Sequence, residues 1–398
     1  MPWEPVLSWN TNVGLAKSHG PTCGFGTGIC VCTGLDYNAN ITTDNSISRG
    51  GHSILETLRK GGVEDPSKYI NFYNLRNYDR INVNAAVGQV ERESGVTYEA
   101  ASRDYDHDGG QDQSQYQRHQ AAAGQPNDEN WASLSACYMD SGPSLSSVPW
   151  NGSPDSEIDA FVSEELYIHT KVLIADDQLV ICGSANLNDR SQLGDHDSEI
   201  AVVIEDPTPI QSTMNGQPWT ASAFAASLRR QLFRKHLGLL PNQRHDEPNA
   251  NWTPVSREPN QYDWGSEADR LVQDPLDLNF RRLWSDTART NTEVFSKAFH
   301  PVPNDKVRNW DQYEQFFAQH FVLPSADSKT RQQAKGSGKV DYGHIVRSEF
   351  PGGVSELKQW LGRIRGNLVD MPLQFLVEVE DLAKEGLSLN DLTDELYT

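Results

Sequence analysis

Residues 166–205 constrain the fold more than any other part of this chain. Three apolar runs rich in β-branched residues follow one another closely there, at 166–175, 179–182 and 199–205. Only Asp176, Asp177 and Gln178 separate the first two, so the pair reads as an antiparallel hairpin closed by a short polar turn. Downstream, residues 220–236 (TASAFAASLRRQLFRKH) carry helical spacing, with Thr220 as cap and Gly238 as stop. Strands feeding a strong helix in this way predict an α/β fold: a mixed β-sheet flanked by helices on both faces.

On a strand, residues i and i+2 share a face, so His169 and Lys171 point one way. Thr170, Val172 and Ile174 take the other side, where a helix would bury them. A charged lysine beside an imidazole is costly in a dry core. It makes sense against a bound anion such as phosphate. The next strand delivers Gly183, Ser184, Ala185 and Asn186, and the Ser184 hydroxyl and Asn186 amide could bind further phosphate oxygens. Glu199 opens the third run. It is the natural carboxylate to hold the far nitrogen of His169 and fix its tautomer.

The spacing His169-x-Lys171-x4-Asp176, followed by Gly183-Ser184-x-Asn186 and then NDRS and DSE, resembles the HKD motif of the phospholipase D superfamily. The wider text from about residue 45 to 398 is similar to the C-terminal half of the large eukaryotic phospholipases D, especially the fungal ones. INFYNLRNYDRIN, SLRRQLFRKHLGL and EGLSLNDLTDELYT carry that likeness. The resemblance implies one half of a pseudo-dimer with a C-terminal extension. It also implies a phosphodiester exchange that converts a glycerophospholipid such as phosphatidylcholine to phosphatidic acid and a free headgroup, with water or another alcohol as acceptor. One histidine attacks phosphorus and another protonates the leaving alcohol; His169 matches the one that acts as acid and then base. Lys171, Ser184 and Asn186 would stabilise charge on the transferring oxygens. Asp176, past the strand end, would have a structural role. No metal is required for this chemistry.

Phospholipases D use two HKD motifs, and His169 is the only one of the eleven histidines with a lysine two residues on. The expected partners are therefore a phospholipid, a membrane surface, and either a second copy or an N-terminal half supplying the other motif. Two alternatives stay open. One is a truncated, inactive half that binds lipid or phosphate without turnover; the other is a different phosphodiesterase of the superfamily, nuclease-like. Asp and Glu total 55 against 34 Lys and Arg, a net charge of −21. That balance argues against nucleic acid, whose phosphates are held mainly by Lys and Arg.

No run approaches the length of an apolar membrane span, and MPWEPVLSWN lacks a basic start followed by an apolar stretch. With an odd count of five cysteines, these features point to a cytoplasmic protein that meets membranes peripherally. Residues 1–45 are Gly-rich and without clear periodicity, an unassigned start that is either atypical or disordered. Residues 46–240 form the HKD-containing half, with a helix at 51–60, a strand at 69–75 and a polar insertion at 104–158 read as a long loop. Residues 241–398 read as a largely helical extension, with helices near 264–285, 310–321, 355–365 and 372–385 and a flexible break at 325–339. Asp104, Asp106 and Asp108 match the start of a calcium loop, but Gln115 holds its twelfth place, which favours a solvated acidic loop over calcium. Arg229, Arg230, Arg234, Lys235 and His236 cluster on one helix. Plain packing of its apolar side is preferred there over contact with anionic headgroups.

Overall fold

The computed structural model describes residues 13–17, 27–31, 47–49, 51, 53–80, 85–97, 100–101, 104, 114–123, 150, 153–166, 170–186, 191, 198–240, 263–322 and 328–379. Its strands are β1 (Val13–Lys17), β2 (Thr27–Val31), β3 (Tyr73–Arg80), β4 (Phe161–Glu165), β5 (Lys171–Ala175), β6 (Leu179–Gly183), β7 (Ala201–Glu205), β8 (Pro209–Met214), β9 (Gln217–Ser222) and β10 (Leu368–Asp370). The α/β class is as expected, and the strands form small sheets ordered β1-β2-β5-β6-β7, β10-β3-β4 and β8-β9. Every pairing between these strands is antiparallel.

The anticipated hairpin is β5–β6, with Ala175 opposite Leu179 and Lys171 opposite Gly183. Asp176 and Asp177 both adopt positive φ, 54° and 56°, and Gln178 N donates to Ala175 O at 2.9 Å. Consecutive left-handed residues match the twist of the flanking strands, and aspartate tolerates that conformation better than most side chains. Helix α5 (Ala223–His236) covers one face of this hairpin, and Val172, Ile174 and Val180 pack with Ala225. That is the face assigned to the apolar side from the period of two.

Helices α1 (Ile54–Lys60) and α2 (Ala85–Ser94) precede and follow β3 in the chain, and the polar insertion holds two more, α3 (Ser114–Ala123) and α4 (Pro154–Asp159), where the sequence suggested a loop. Asp104 caps the first of them: its Oδ2 accepts from Gln115 N at 2.7 Å and Tyr116 N at 3.0 Å. Asp106 and Asp108 lie outside the described residues. The start of the chain also differs from its reading, because β1 and β2 extend the HKD sheet from a stretch without visible periodicity. Backbone pairing, which no side-chain period reports, is what orders them.

Helix α5 begins at Ala223 rather than Thr220. The residues before it form β9, which pairs with β8 around Asn215–Gly216 (φ 52° and 73°). Ser222 makes no side-chain cap, and Asp206 Oδ2 instead accepts from Phe224 N at 3.0 Å. In the extension, the stretch near 264–285 divides into α6 (Glu267–Leu271) and the 22-residue α7 (Leu278–Phe299). Asp277 caps α7 by accepting from Asn279 N and Phe280 N. Helix α8 (Trp310–His320) is as expected, α9 (Ser328–Gly336) replaces the expected break, and α10 (Gly353–Leu361) ends earlier than anticipated. Residues 373–378 are turns, and the remainder of the anticipated final helix lies outside the described residues.

Helix α7 ties the small sheet to the extension. Its Phe280, Trp284 and Ala288 pack with Tyr73, Leu75 and Leu368, while Val294, Phe295 and Ala298 pack with Phe161, Val369 and Leu357. Among the described residues, no helix is long and apolar enough to cross a membrane.

Candidate active site

The register of three strands brings the candidate groups together. Lys171 opens β5 opposite Gly183 of β6, and Gly183 is in turn opposite Ala201 of β7. The residues just beyond these ends, Ser184 through Asn186 on one side and Glu199 with Ile200 on the other, therefore lie at the same end of the sheet as Lys171. Gly183 permits this approach. A Cβ there would stand 2.7 Å from Ile200 O, closer than any side chain tolerates.

Lys171 is only 1 % exposed, although Thr170 before it is open to solvent. It shares a face with Leu173, opposite the face that α5 covers. Ser184 and Asn186 are half-buried. The Ser184 backbone N–H donates to Ile200 O at 3.0 Å, its Oγ accepts from Ile200 N at 3.0 Å, and its hydroxyl donates to the Glu199 carboxylate. Glu199, assigned from the sequence to orient His169, is thus engaged with Ser184. His169 itself lies outside the described residues. The Ser184 hydroxyl, assigned to phosphate, has its proton committed to Glu199 and is held in place by it.

Asp176 stands at the far end of β5. Five strand residues span about 16 Å, too far for its carboxylate to reach a phosphate held by Lys171. Its carbonyl accepts from Trp219 Nε1 at 2.8 Å, which pins the hairpin tip to β9.

The neighbouring Asp177 is a residue the sequence reading passed over. Its buried carboxylate takes a forked pair of hydrogen bonds from Arg229, Nε at 2.6 Å and Nη2 at 2.7 Å. Arg229 also donates to Val272 O at 2.6 Å and Gln273 O at 2.8 Å. Arg230 forks onto Asp269 and lies over the Trp264 ring, 3.7 Å from its centroid. Arg234 pairs with Asp263. The arginines of α5 are therefore buried ion-pair partners, neither solvated nor available to headgroups. The sequence shows the charges, a turn with two adjacent aspartates, an Arg-Arg pair on the helix and acidic residues at 263 and 269, but not which of them meet.

Comparison with known proteins places residues 142–262 within the phospholipase D family model, a span that contains the β5–β6 hairpin and Glu199. The chain is 33 % identical over 221 residues to phospholipase D zeta 2 of Arabidopsis thaliana, covering 55 % of this chain and 18 % of that one. It is 35 % identical over 238 residues to human phospholipase D1, covering 60 % of this chain and 17 % of that protein. Against phospholipase D of Phytophthora infestans it is 36 % identical over 152 residues, 38 % of this chain and 7 % of that one. The chain thus matches less than a fifth of the length of each of these relatives.

Proposed function

We propose, for a chain that belongs to the phospholipase D superfamily, that it supplies one HKD half-site for phosphodiester exchange on glycerophospholipids. The observation that carries this reading is the strand register that gathers Lys171, Ser184, Asn186 and Glu199 at one end of the β5–β6 sheet. A buried lysine there offers a cation to phosphoryl oxygens in a water-poor setting, where charge stabilisation is strongest. Asn186 supplies amide donors, and the Glu199–Ser184 bond holds the adjoining backbone rigid.

In the proposed reaction a histidine of a second HKD motif attacks phosphorus and the bond to the headgroup oxygen breaks. His169 gives that oxygen its proton. His169 then takes a proton from water or an alcohol, which displaces the histidine and releases phosphatidic acid or its ester. The second motif would come from another copy or from an N-terminal half, at the surface of a cytoplasmic membrane leaflet. The lysines and histidines carry the electrostatic work without a metal.

A second reading is favoured by one observation: His169 alone has lysine two residues on. A half-site without its partner histidine would hold phosphate through Lys171 and Asn186 and not turn over. Choline release from phosphatidylcholine vesicles separates the two. Release that is lost in Lys171→Ala supports the enzyme. A folded protein that binds the vesicles but releases no choline, at any protein concentration, leaves the binding half.

A further inference from the structure

A second polar site, lined by no residue of the β5–β6 hairpin, lies between α7 and the loop after it, the β3–β4 strands and the residues at and after β10. It is a cavity of about 270 Å³. Arg76 lines it and is 8 % exposed. The nearest charge to its guanidinium is Glu165 at 3.9 Å, beyond hydrogen-bond distance, and no described residue accepts a hydrogen bond from it. None of its nitrogens is among the atoms sealed from solvent without a partner, so the fork is reachable from the cavity, and a planar five-donor group suits an anionic oxygen pair. Lys306 adds a second cation at the exposed rim.

The remaining lining has the opposite character. Asp305 and Asp370 stand at the mouth, and Phe295 and Phe316 form the apolar wall. Asp305 accepts from Gln374 N at 2.8 Å, which fixes one carboxylate oxygen. Partial desolvation raises both carboxyl groups above their ordinary values, and the Asp305 charge adds to this at Asp370 while Arg289 opposes it. Two exposed carboxylates lining a cavity together with aromatic rings suit an organic ammonium ion. Among the described residues, no group of three or more His, Cys, Asp or Glu side chains is placed to hold a metal.

We propose that this cavity binds a small zwitterion, a phosphate ester bearing an ammonium group, with the phosphate on Arg76 and the ammonium between Asp305, Asp370 and the phenyl rings. The source of that chemistry is either a free phosphocholine-type ester or the headgroup of a lipid. This inference is independent of turnover at the hairpin.

Calorimetric titration of the full chain with phosphocholine, choline and inorganic phosphate tests it, in the wild type and in a Lys171→Ala background that removes the hairpin's phosphate cation. The expected result is saturable phosphocholine binding, at least tenfold tighter than either fragment and unchanged by Lys171→Ala. Asp370→Asn should weaken phosphocholine and choline at least tenfold and leave phosphate unchanged; Arg76→Gln should weaken phosphocholine and phosphate. Should Arg76→Gln fail to fold, the exposed Asp370 variant decides alone. Competition by monomeric short-chain phosphatidylcholine supports the proposal with a lipid as source, and phosphocholine binding without it supports the free ester. Absence of binding in folded wild type, binding lost with Lys171→Ala, or phosphate bound as tightly as phosphocholine overturns it.

Discussion

At the scale of single residues, the proposed function bears most directly on Lys171. Its burial at the end of β5 makes sense for a cation that meets phosphoryl oxygens out of water. Removing one such stabilising group usually lowers kcat by about 10²–10³. Lys171→Ala should therefore cut kcat by that range with a smaller change in KM, measured as choline release. An unchanged kcat would place the stabilising charge elsewhere. Arg229 is the opposite case, since its role is structural. Truncating one member of a buried, forked ion pair costs about 3–5 kcal/mol, because Asp177 is left charged and unpaired. Urea unfolding of Arg229→Ala should show that loss, and a midpoint equal to wild type would contradict the pairing. Lys171 was singled out because, in sequence, a period of two sets it on one strand face with His169. Asp177 was not, because its meaning depends on Arg229, which the fold, not the local sequence, brings to it.

At the scale of elements, the legible parts were those whose signals are local. The aspartate turn announced the β5–β6 hairpin, and the apolar pattern identified the face that α5 covers. The Asn215–Gly216 turn was equally local, yet the helical spacing of the residues after it drew the helix start too early. Gly183 shows what strand pairing demands. With Ile200 O at 2.7 Å from a Cβ position, Gly183→Ala should push β7 away and destabilise by roughly 1–3 kcal/mol. A thermal midpoint unchanged from wild type would mean that β7 moves freely.

Helix α5 also makes a pH prediction. His236 is fully buried, its Nδ1 lies 2.9 Å from Asn367 Oδ1, and burial pushes its pKa down to about 4. Above the ordinary value near 6.5 both folded and unfolded states are neutral there, and nothing is lost. As pH falls below 6.5 the unfolded chain takes up the proton first, and stability declines until about pH 4, by about 3 kcal/mol in all. Wild type measured by urea unfolding between pH 7.5 and 4 should show this slope. A His236→Gln variant should lack that component, and identical slopes in the two proteins would refute the assignment.

At the scale of the whole molecule, the acidic surplus and the buried arginines belong together. Three arginines of α5 are matched to aspartates at 177, 263 and 269, so the hairpin tip and the extension are joined through the helix between them. The extension is thus part of what holds the HKD hairpin, which the division of the chain at residue 240 did not anticipate. Pairing in this way withdraws that cluster of positive side chains from the surface.

The central claim is that the β5–β6 hairpin carries phosphatidyl transfer through His169. Phosphatidylethanol formation from phosphatidylcholine vesicles in dilute ethanol tests it most directly, because only an enzyme-bound phosphatidyl group partitions between water and the alcohol. The account predicts phosphatidylethanol from wild type, rising more than linearly with protein concentration if two copies build the site, and none from His169→Ala. Phosphatidylethanol formed equally by wild type and His169→Ala would contradict it.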